Sequence, residues 1–280
     1  MKRVSLAVVC LLFAFSVLAQ HTSSPHGQLD LDGTPDLRVR DNLDKQWLVR
    51  DEHLSATACS VIEGGIEPGL RRLVRFTVTI DNIGNADLFV GDPNDPKHVD
   101  LFEFAECHHH YHFSNYAVYE LIDPKTGHKW RAAKAGYCML DTDPLPAAAG
   151  GAPPRPPQFL NCGAIGVPGY QGISAGWSDT YRFFLGGQFF VLDGGDGQAP
   201  VPPGDYLIRI TANPAYAPDR KGNCPLAKDP KTGLCHNFVE ADYTNNITET
   251  TITIPAHPGR EGVGPLKNEK PLGYEPVDHQ

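Results

Sequence analysis

Cys107-His108-His109-His110-Tyr111-His112 gathers four of the chain's 12 histidines into five residues. His108, His110 and His112 alternate, so an extended strand turns all three to one face and His109 and Tyr111 to the other. Neutral imidazole is a ligand for copper, zinc, iron or nickel, and the spacing alone does not choose among them. Same-face Cβ atoms on a straight strand lie roughly 6.6 Å apart. Metal–nitrogen bonds are about 2 Å, so the rings converge on one ion only if the strand bends. Three ligands with open positions make a catalytic type of site, whereas structural zinc sites close with four. A functionless surface run is the alternative, and this density of histidines argues against it. Cys107 could add a thiolate, but in an oxidising compartment a disulfide is the better reading.

The elements that must hold this cluster read as strands. Pro and Gly are abundant, 25 and 28 residues, and long amphipathic helical patterns are missing. The clearest strand runs from Leu73 to Ile80, with Val74, Phe76, Val78 and Ile80 on one face. Asp81-Asn82-Ile83-Gly84-Asn85 is a turn, and the next strand starts at Ala86. Further strands are expected at Leu37 to Val39, Asn115 to Ile122, Thr180 to Phe184, Tyr206 to Thr211 and Asn245 to Ile254. The Pro/Ala/Gly stretch from Thr142 to Pro157 reads as a surface loop. About seven short strands joined by turn chemistry indicate a mainly β protein: a β-sandwich core with long loops, disulfide staples and few helices.

The start of the chain reads as an export signal. Met1-Lys2-Arg3 precedes an apolar run from Val4 to Ala19, with small residues before a cut ahead of Gln20. An uncleaved anchor is the alternative, but the run is short for a bilayer span, which takes roughly 20 apolar residues. Losing Lys2 and Arg3 takes the formal charge from −9 to −11. That acidity argues against nucleic acid or an anionic membrane and suits a cationic substrate. Of seven cysteines, Cys10 leaves with the signal. The remaining six, Cys59, Cys107, Cys138, Cys162, Cys224 and Cys235, read as disulfides with 15 conceivable pairings, and spacing singles out only Cys224–Cys235 as a local staple. The protein is expected outside the cell or in the periplasm, with no membrane span after signal removal.

The histidine motif resembles the Cys-His-x-His-Tyr-His copper motif of the lysyl oxidase family. Lys134-Ala135-Gly136-Tyr137-Cys138-Met139-Leu140-Asp141 is similar to that family's Lys-Ala-Ser-Phe-Cys-Leu-Glu-Asp. Gln171-Gly172-Ile173-Ser174, Asp179-Thr180-Tyr181, Pro203-Gly204-Asp205-Tyr206, Asn213-Pro214 and Glu240-Ala241-Asp242-Tyr243-Thr244-Asn245-Asn246 continue it in order. The resemblance implies Cu(II) on His108, His110 and His112, and a lysine tyrosylquinone built from Lys134 and Tyr181. It implies oxidative deamination of a primary amine by O2, giving an aldehyde, H2O2 and NH3. It also implies Ca²⁺ on Asp36, the Leu37 carbonyl, Glu240, Asp242, Asn245 and Asn246, hard oxygen donors that suit that ion. A capping turn is the alternative there, and Asn246-Ile247-Thr248 fits a glycosylation sequon. The family's pairing implies Cys107–Cys162, leaving Cys59–Cys138 and Cys224–Cys235. The implied layout is a signal at 1–19, a flexible lead-in at 20–35, the catalytic domain at 36–256 and a polar tail at 257–280.

The chain also departs from the animal members. Phe102 to Glu106 stand where those keep a Trp, and Val118 is nearest to their downstream His, so no base is assigned. A buried lysine loses its charge more easily, and Arg131 would act in the same direction on Lys134. Small neighbours of Lys134 leave room for another segment. Two rival readings remain: an immunoglobulin-like adhesion module, which leaves Lys134 and Tyr181 unexplained, and a metal-scavenging protein, which needs only the histidines. The amine is open between peptidyl lysine and a small di- or polyamine.

Overall fold

Alternation is clearest in the strand from Gly204 to Ala212, where Tyr206, Ile208, Ile210 and Ala212 are buried and the residues between them are not. Such a strand buries one face against a second layer. The computed structural model describes residues 32–256 except 44, 45, 135 and 152. The expected signal, the polar tail and most of the lead-in lie outside the described residues. Within residues 32–35, Thr34 donates its N–H to Asn85 Oδ1 at 2.9 Å, and the Pro35 carbonyl accepts from Ala241.

In chain order the strands are β1 (Leu37–Val39), β2 (Trp47–Leu54), β3 (Gly69–Phe76), β4 (Val78–Asn82), β5 (Leu88–Gly91), β6 (Phe102–Ala105), β7 (His110–Phe113), β8 (Ala117–Ile122) and β9 (Lys129–Arg131). They continue with β10 (Asp143–Pro144), β11 (Gln171–Ile173), β12 (Trp177–Tyr181), β13 (Phe189–Val191), β14 (Gly204–Ala212), β15 (Ala227–Lys228), β16 (Cys235–His236) and β17 (Ile247–Ile254). A single short α-helix, α1 (Cys59–Ile62), stands among the described residues. The sheet β17-β14-β8-β9 faces the sheets β1-β4-β12-β10 and β13-β3-β2. Phe76, Val78, Ile80 and Tyr181 from one side meet Tyr119, Leu121, Ile208, Ile210 and Ile252 from the other in one core. The mainly β, sandwich-type fold follows from these two layers.

Three expectations change. The strand from Leu73 to Ile80 divides at Thr77, whose N–H goes to Gln46 O and whose Oγ1 accepts from Phe183. The chain therefore passes from the β3 sheet to the β4 sheet, although Val74, Phe76, Val78 and Ile80 all enter the same core. The strand expected at Thr180 to Phe184 lies earlier, at Trp177–Tyr181, because Leu185 N–H closes a turn onto Arg182 O. The 142–157 stretch carries a two-residue edge strand, Asp143–Pro144, paired with Ser178 and Trp177.

β2 carries Arg50, Asp51 and Glu52 mid-strand, which hides its β pattern, yet all eight of its residues pair with β3. Glu52 is buried because Arg75 from β3 meets it with two hydrogen bonds of 2.7 and 2.8 Å. The remaining guanidinium nitrogen donates to the carbonyls of Phe183 and Leu185. A buried charge is tolerable only when paired and fully bonded, and this one fastens the 183–187 segment to the core.

The disulfides are Cys59–Cys107, Cys138–Cys162 and Cys224–Cys235. The expected Cys107–Cys162 and Cys59–Cys138 pairs are therefore corrected, while Cys224–Cys235 stands. α1 brings the Cys59 and Cys107 Cα atoms to 5.4 Å, within disulfide reach. Gln171 draws the other pair together: its amide donates to Cys162 O at 3.0 Å and accepts Met139 N–H at 3.3 Å.

Candidate active site

β6 and β7 form a hairpin whose turn, residues 106–109, holds Cys107 and His108. Only His110 and His112 lie on the strand. His109 takes φ 59°, in the left-handed region. The bend that convergence requires is thus supplied by the turn, and His108 reaches the cluster from beside the strand. Ring centroids are 5.7 Å apart for His108–His110, 5.0 Å for His108–His112 and 4.9 Å for His110–His112. The Nε2 atoms of His110 and His112 stand 3.1 Å apart. Two ligands of one ion with bonds of about 2 Å sit about 3 Å from each other, so this pair matches shared coordination. Among the described residues no three metal-ligating side chains already close on one point. Tyr111 faces away as expected and packs edge-on against Phe104 at 5.2 Å.

Glu63, at the end of α1, accepts the Cys107 N–H at 2.6 Å and lies 2.5 Å from His108 Nδ1. The Cys59–Cys107 disulfide holds this helix against the hairpin. No local pattern in the sequence marks Glu63.

Lys134 and Tyr181 meet. Lys134 Nζ lies 5.0 Å from the centre of the Tyr181 ring and 6.0 Å from that of Tyr137. Tyr181 comes from β12, packs edge-on against Tyr137 at 5.2 Å and donates its hydroxyl to Cys138 O at 2.8 Å. Burial raises its phenol well above the usual range, with Asp179 adding to the effect. The small neighbours of Lys134 serve as expected. A Cβ on Gly187 would stand 3.3 Å from Lys134 Cα, and one on Gly136 would stand 2.6 Å from His112 Nδ1. Gly136 therefore lets a histidine of the cluster rest on the Lys134 segment. A cavity of about 350 Å³ lies between the histidines and Lys134, lined by His108, His112, Lys134, Glu63, Glu103 and Gly187, while Tyr181 is buried behind Lys134. No residue of the 142–157 stretch lines it.

Arg131 is exposed, whereas the buried Asp179 interacts electrostatically with Lys134. Asp179 lies two residues before Tyr181, hence on the same strand face. It is fully buried, with no closely aligned donor on either carboxylate oxygen among the described residues, although the Tyr181 hydroxyl and the Leu140 N–H lie near enough to favour its charged form. Tyr181 lies close, but its one hydroxyl hydrogen is committed to Cys138 O. Burial pushes the Asp179 carboxyl well up, and Tyr181 and Lys134 pull it part of the way back. The two-residue spacing to Tyr181 was the sequence signal for it. Val118 points to solvent from β8, so the position nearest to the animal members' His offers nothing to this cavity.

The oxygen cluster assembles at the start of β1. Glu240 accepts Leu37 N–H at 2.6 Å through one oxygen, and Asn213 and Asn246 amides at 2.5 and 2.9 Å through the other. Asp36 accepts the Asn245 amide at 3.0 Å. The side-chain carbonyls of Asn245 and Asn246 are buried without donors, which fits a hard cation. Asp242 is turned to the Thr244 hydroxyl and N–H and serves as a turn cap. Burial pushes the Glu240 carboxyl up to about 7, partly offset by its bonds to Asn213, Asn246 and Leu37. Asn246 is 2 % exposed, which sets the sequon reading aside.

The lysyl oxidase family model matches residues 42–220, well over half of the chain and a span that holds the histidines, Lys134 and Tyr181. The chain belongs to the lysyl oxidase family. It is 28% identical to lysyl oxidase homolog 2 of Gallus gallus over 196 residues, 68% of this chain and 19% of that one. It is 29% identical to lysyl oxidase homolog 2 of Bos taurus over 218 residues, 76% of this chain and 22% of that one. Lysyl oxidase homolog 3 of Homo sapiens is 25% identical over 190 residues, 68% of this chain and 20% of that one. The chain thus spans about a fifth of the length of these relatives.

Proposed function

We propose that this protein is an exported copper amine oxidase in which Lys134 and Tyr181 are joined as lysine tyrosylquinone. The observation that carries this reading is the placement of Lys134 Nζ 5.0 Å from the Tyr181 ring, on the wall of a cavity shared with His108 and His112. A metal-scavenging protein has no need of that pair, and an adhesion module has no need of either group. His108, His110 and His112 would hold Cu(II). Copper, O2 and the quinone together supply the oxidising chemistry that turns a primary amine into an aldehyde with release of H2O2 and NH3.

The chain's own residues do the rest. Glu63, Glu103 and Glu106 line the cavity and favour a cationic amine, a small di- or polyamine or a peptidyl lysine. Asp179, whose carboxyl is pushed up by burial, stands beside Tyr181 as a group able to carry a proton there. Asp36, the Leu37 carbonyl, Glu240, Asn245 and Asn246 would hold Ca²⁺, pinning β1 to the segment before β17; Asp242 would join only by leaving its turn. Among the described residues no helix is long and apolar enough to cross a membrane. Residues 1–19 would direct export, and residues 36–256 would form the catalytic domain.

The test is peroxide release from copper-loaded protein given a primary amine. Wild type releases peroxide, and Tyr181→Phe keeps its copper and releases none. Equal release from both proteins would refute the assignment of the quinone to Tyr181.

A further inference from the structure

The Nδ1 atom of His108 faces a carboxylate rather than the other two rings. Glu63 Oε2 lies 2.5 Å from it, and Glu63 Oε1 accepts the neighbouring Cys107 N–H at 2.6 Å. A carboxylate only accepts hydrogen bonds. The His108 hydrogen in that contact must therefore sit on Nδ1, and the lone pair of a neutral ring is left on Nε2. Three constraints hold Glu63 where it is. Its N–H closes α1 onto Cys59 O at 2.8 Å, Cys59 is disulfide-bonded to Cys107, and the chain turns back on α1 so closely that a Cβ on Gly64 would stand 2.4 Å from Ser60 O. His110 and His112 already bring their Nε2 atoms together, so an Nε2 lone pair on His108 makes the donor set uniform.

We infer that Glu63 is a positioning residue that fixes the Nδ1–H tautomer of His108 and so commits its Nε2 to the metal. The inference rests on the copper reading of the histidines, but the tautomer itself exists without any metal. Glu63 takes no part in the redox chemistry. It selects which ring nitrogen is a ligand, and outer-sphere partners of this kind commonly change metal affinity by about 10- to 100-fold. Because α1 is joined to the metal-binding turn by a disulfide, the ligand and the residue that orients it move as one body.

The experiment has a copper-free arm and a copper arm. Long-range ¹H–¹⁵N spectra of metal-free protein at neutral pH report the tautomer of His108, assigned by its absence in His108→Ala. Wild type is expected to carry the hydrogen on Nδ1; a hydrogen on Nε2 would overturn the inference without any variant having to fold. Glu63→Gln preserves the acceptor for Cys107 N–H but can present an N–H to Nδ1, so His108 is expected to invert to Nε2–H. Competition with a copper chelator is then expected to show about 10- to 100-fold weaker binding in that variant. Wild-type tautomer and wild-type copper affinity in Glu63→Gln would refute the role. If wild type shows Nδ1–H yet binds no copper, the proposed function fails and the tautomer assignment stands.

Discussion

The nitrogen cluster on the β6–β7 hairpin and the oxygen cluster between β1 and β17 are built on opposite plans. The histidines are braced from outside: Glu63 holds His108, a disulfide holds Glu63, and Gly136 receives the His112 ring. The Nε2 atoms of His110 and His112 stand 3.1 Å apart, the spacing of two ligands on one ion. The oxygen cluster is braced from within. Glu240 accepts three hydrogen bonds from the protein itself, and only the carbonyls of Asn245 and Asn246 lack donors. On the proposed reading the first site acts only with a metal, while the second already ties β1 to Glu240 through the protein's own hydrogen bonds.

The sharpest way to break this comparison is to remove a central histidine. His110→Ala is expected to lower bound copper from about one ion per chain to almost none after dialysis, since two imidazoles rarely retain an ion that wants three or four ligands. Its response to Ca²⁺ is expected to stay as in wild type, the two clusters having no shared residue. Copper retained at full occupancy in His110→Ala would mean that the ligands are misassigned.

A smaller effect sharpens the other half. The Glu240 carboxyl sits at about 7 in the fold against an ordinary 4.5. The folded chain thus binds that proton more tightly than the unfolded chain between those values. Stability is therefore greatest below about 4.5 as far as this group is concerned, and is lost as pH rises through 7, by up to about 3 kcal/mol. Chelator-treated wild type is expected to lose stability to urea across this window, and Glu240→Gln is expected to lose less. Ca²⁺ is expected to restore wild-type stability more at pH 8 than at pH 5. A pH-independent calcium response would contradict the oxygen-cluster account.

Local pattern and tertiary assembly divided the legible from the hidden. The alternation of His110 and His112, with Tyr111 turned away, follows from strand geometry and was readable. That His108 sits in the turn was not, because the left-handed backbone of His109 has no signature in a run of histidines. The buried face of β14 was visible as alternation, whereas β3 buries Leu73 to Phe76 without a break and β2 was masked by charges that make sense only once Glu52 meets Arg75. Lys134 and Tyr181 look ordinary in their own segments; motif order singled them out, and only the packing of β12 beneath the Lys134 segment makes them neighbours. Glu63 depends wholly on that packing, whereas Asp179 could have been reached from Tyr181 by strand alternation. The pairing of Cys59 with Cys107 was hidden for a similar reason: it depends on where α1 docks, and spacing carries no such information.

In the proposed function the histidine hairpin holds copper beside a lysine and a tyrosine that become one cofactor. Peptide mapping by mass spectrometry of protein expressed with copper and exposed to air tests it most directly. A crosslinked species joining the peptides that carry Lys134 and Tyr181 is expected, absent from Tyr181→Phe and from copper-free His110→Ala. Separate, unmodified Lys134 and Tyr181 peptides from wild-type protein at full copper occupancy would contradict it.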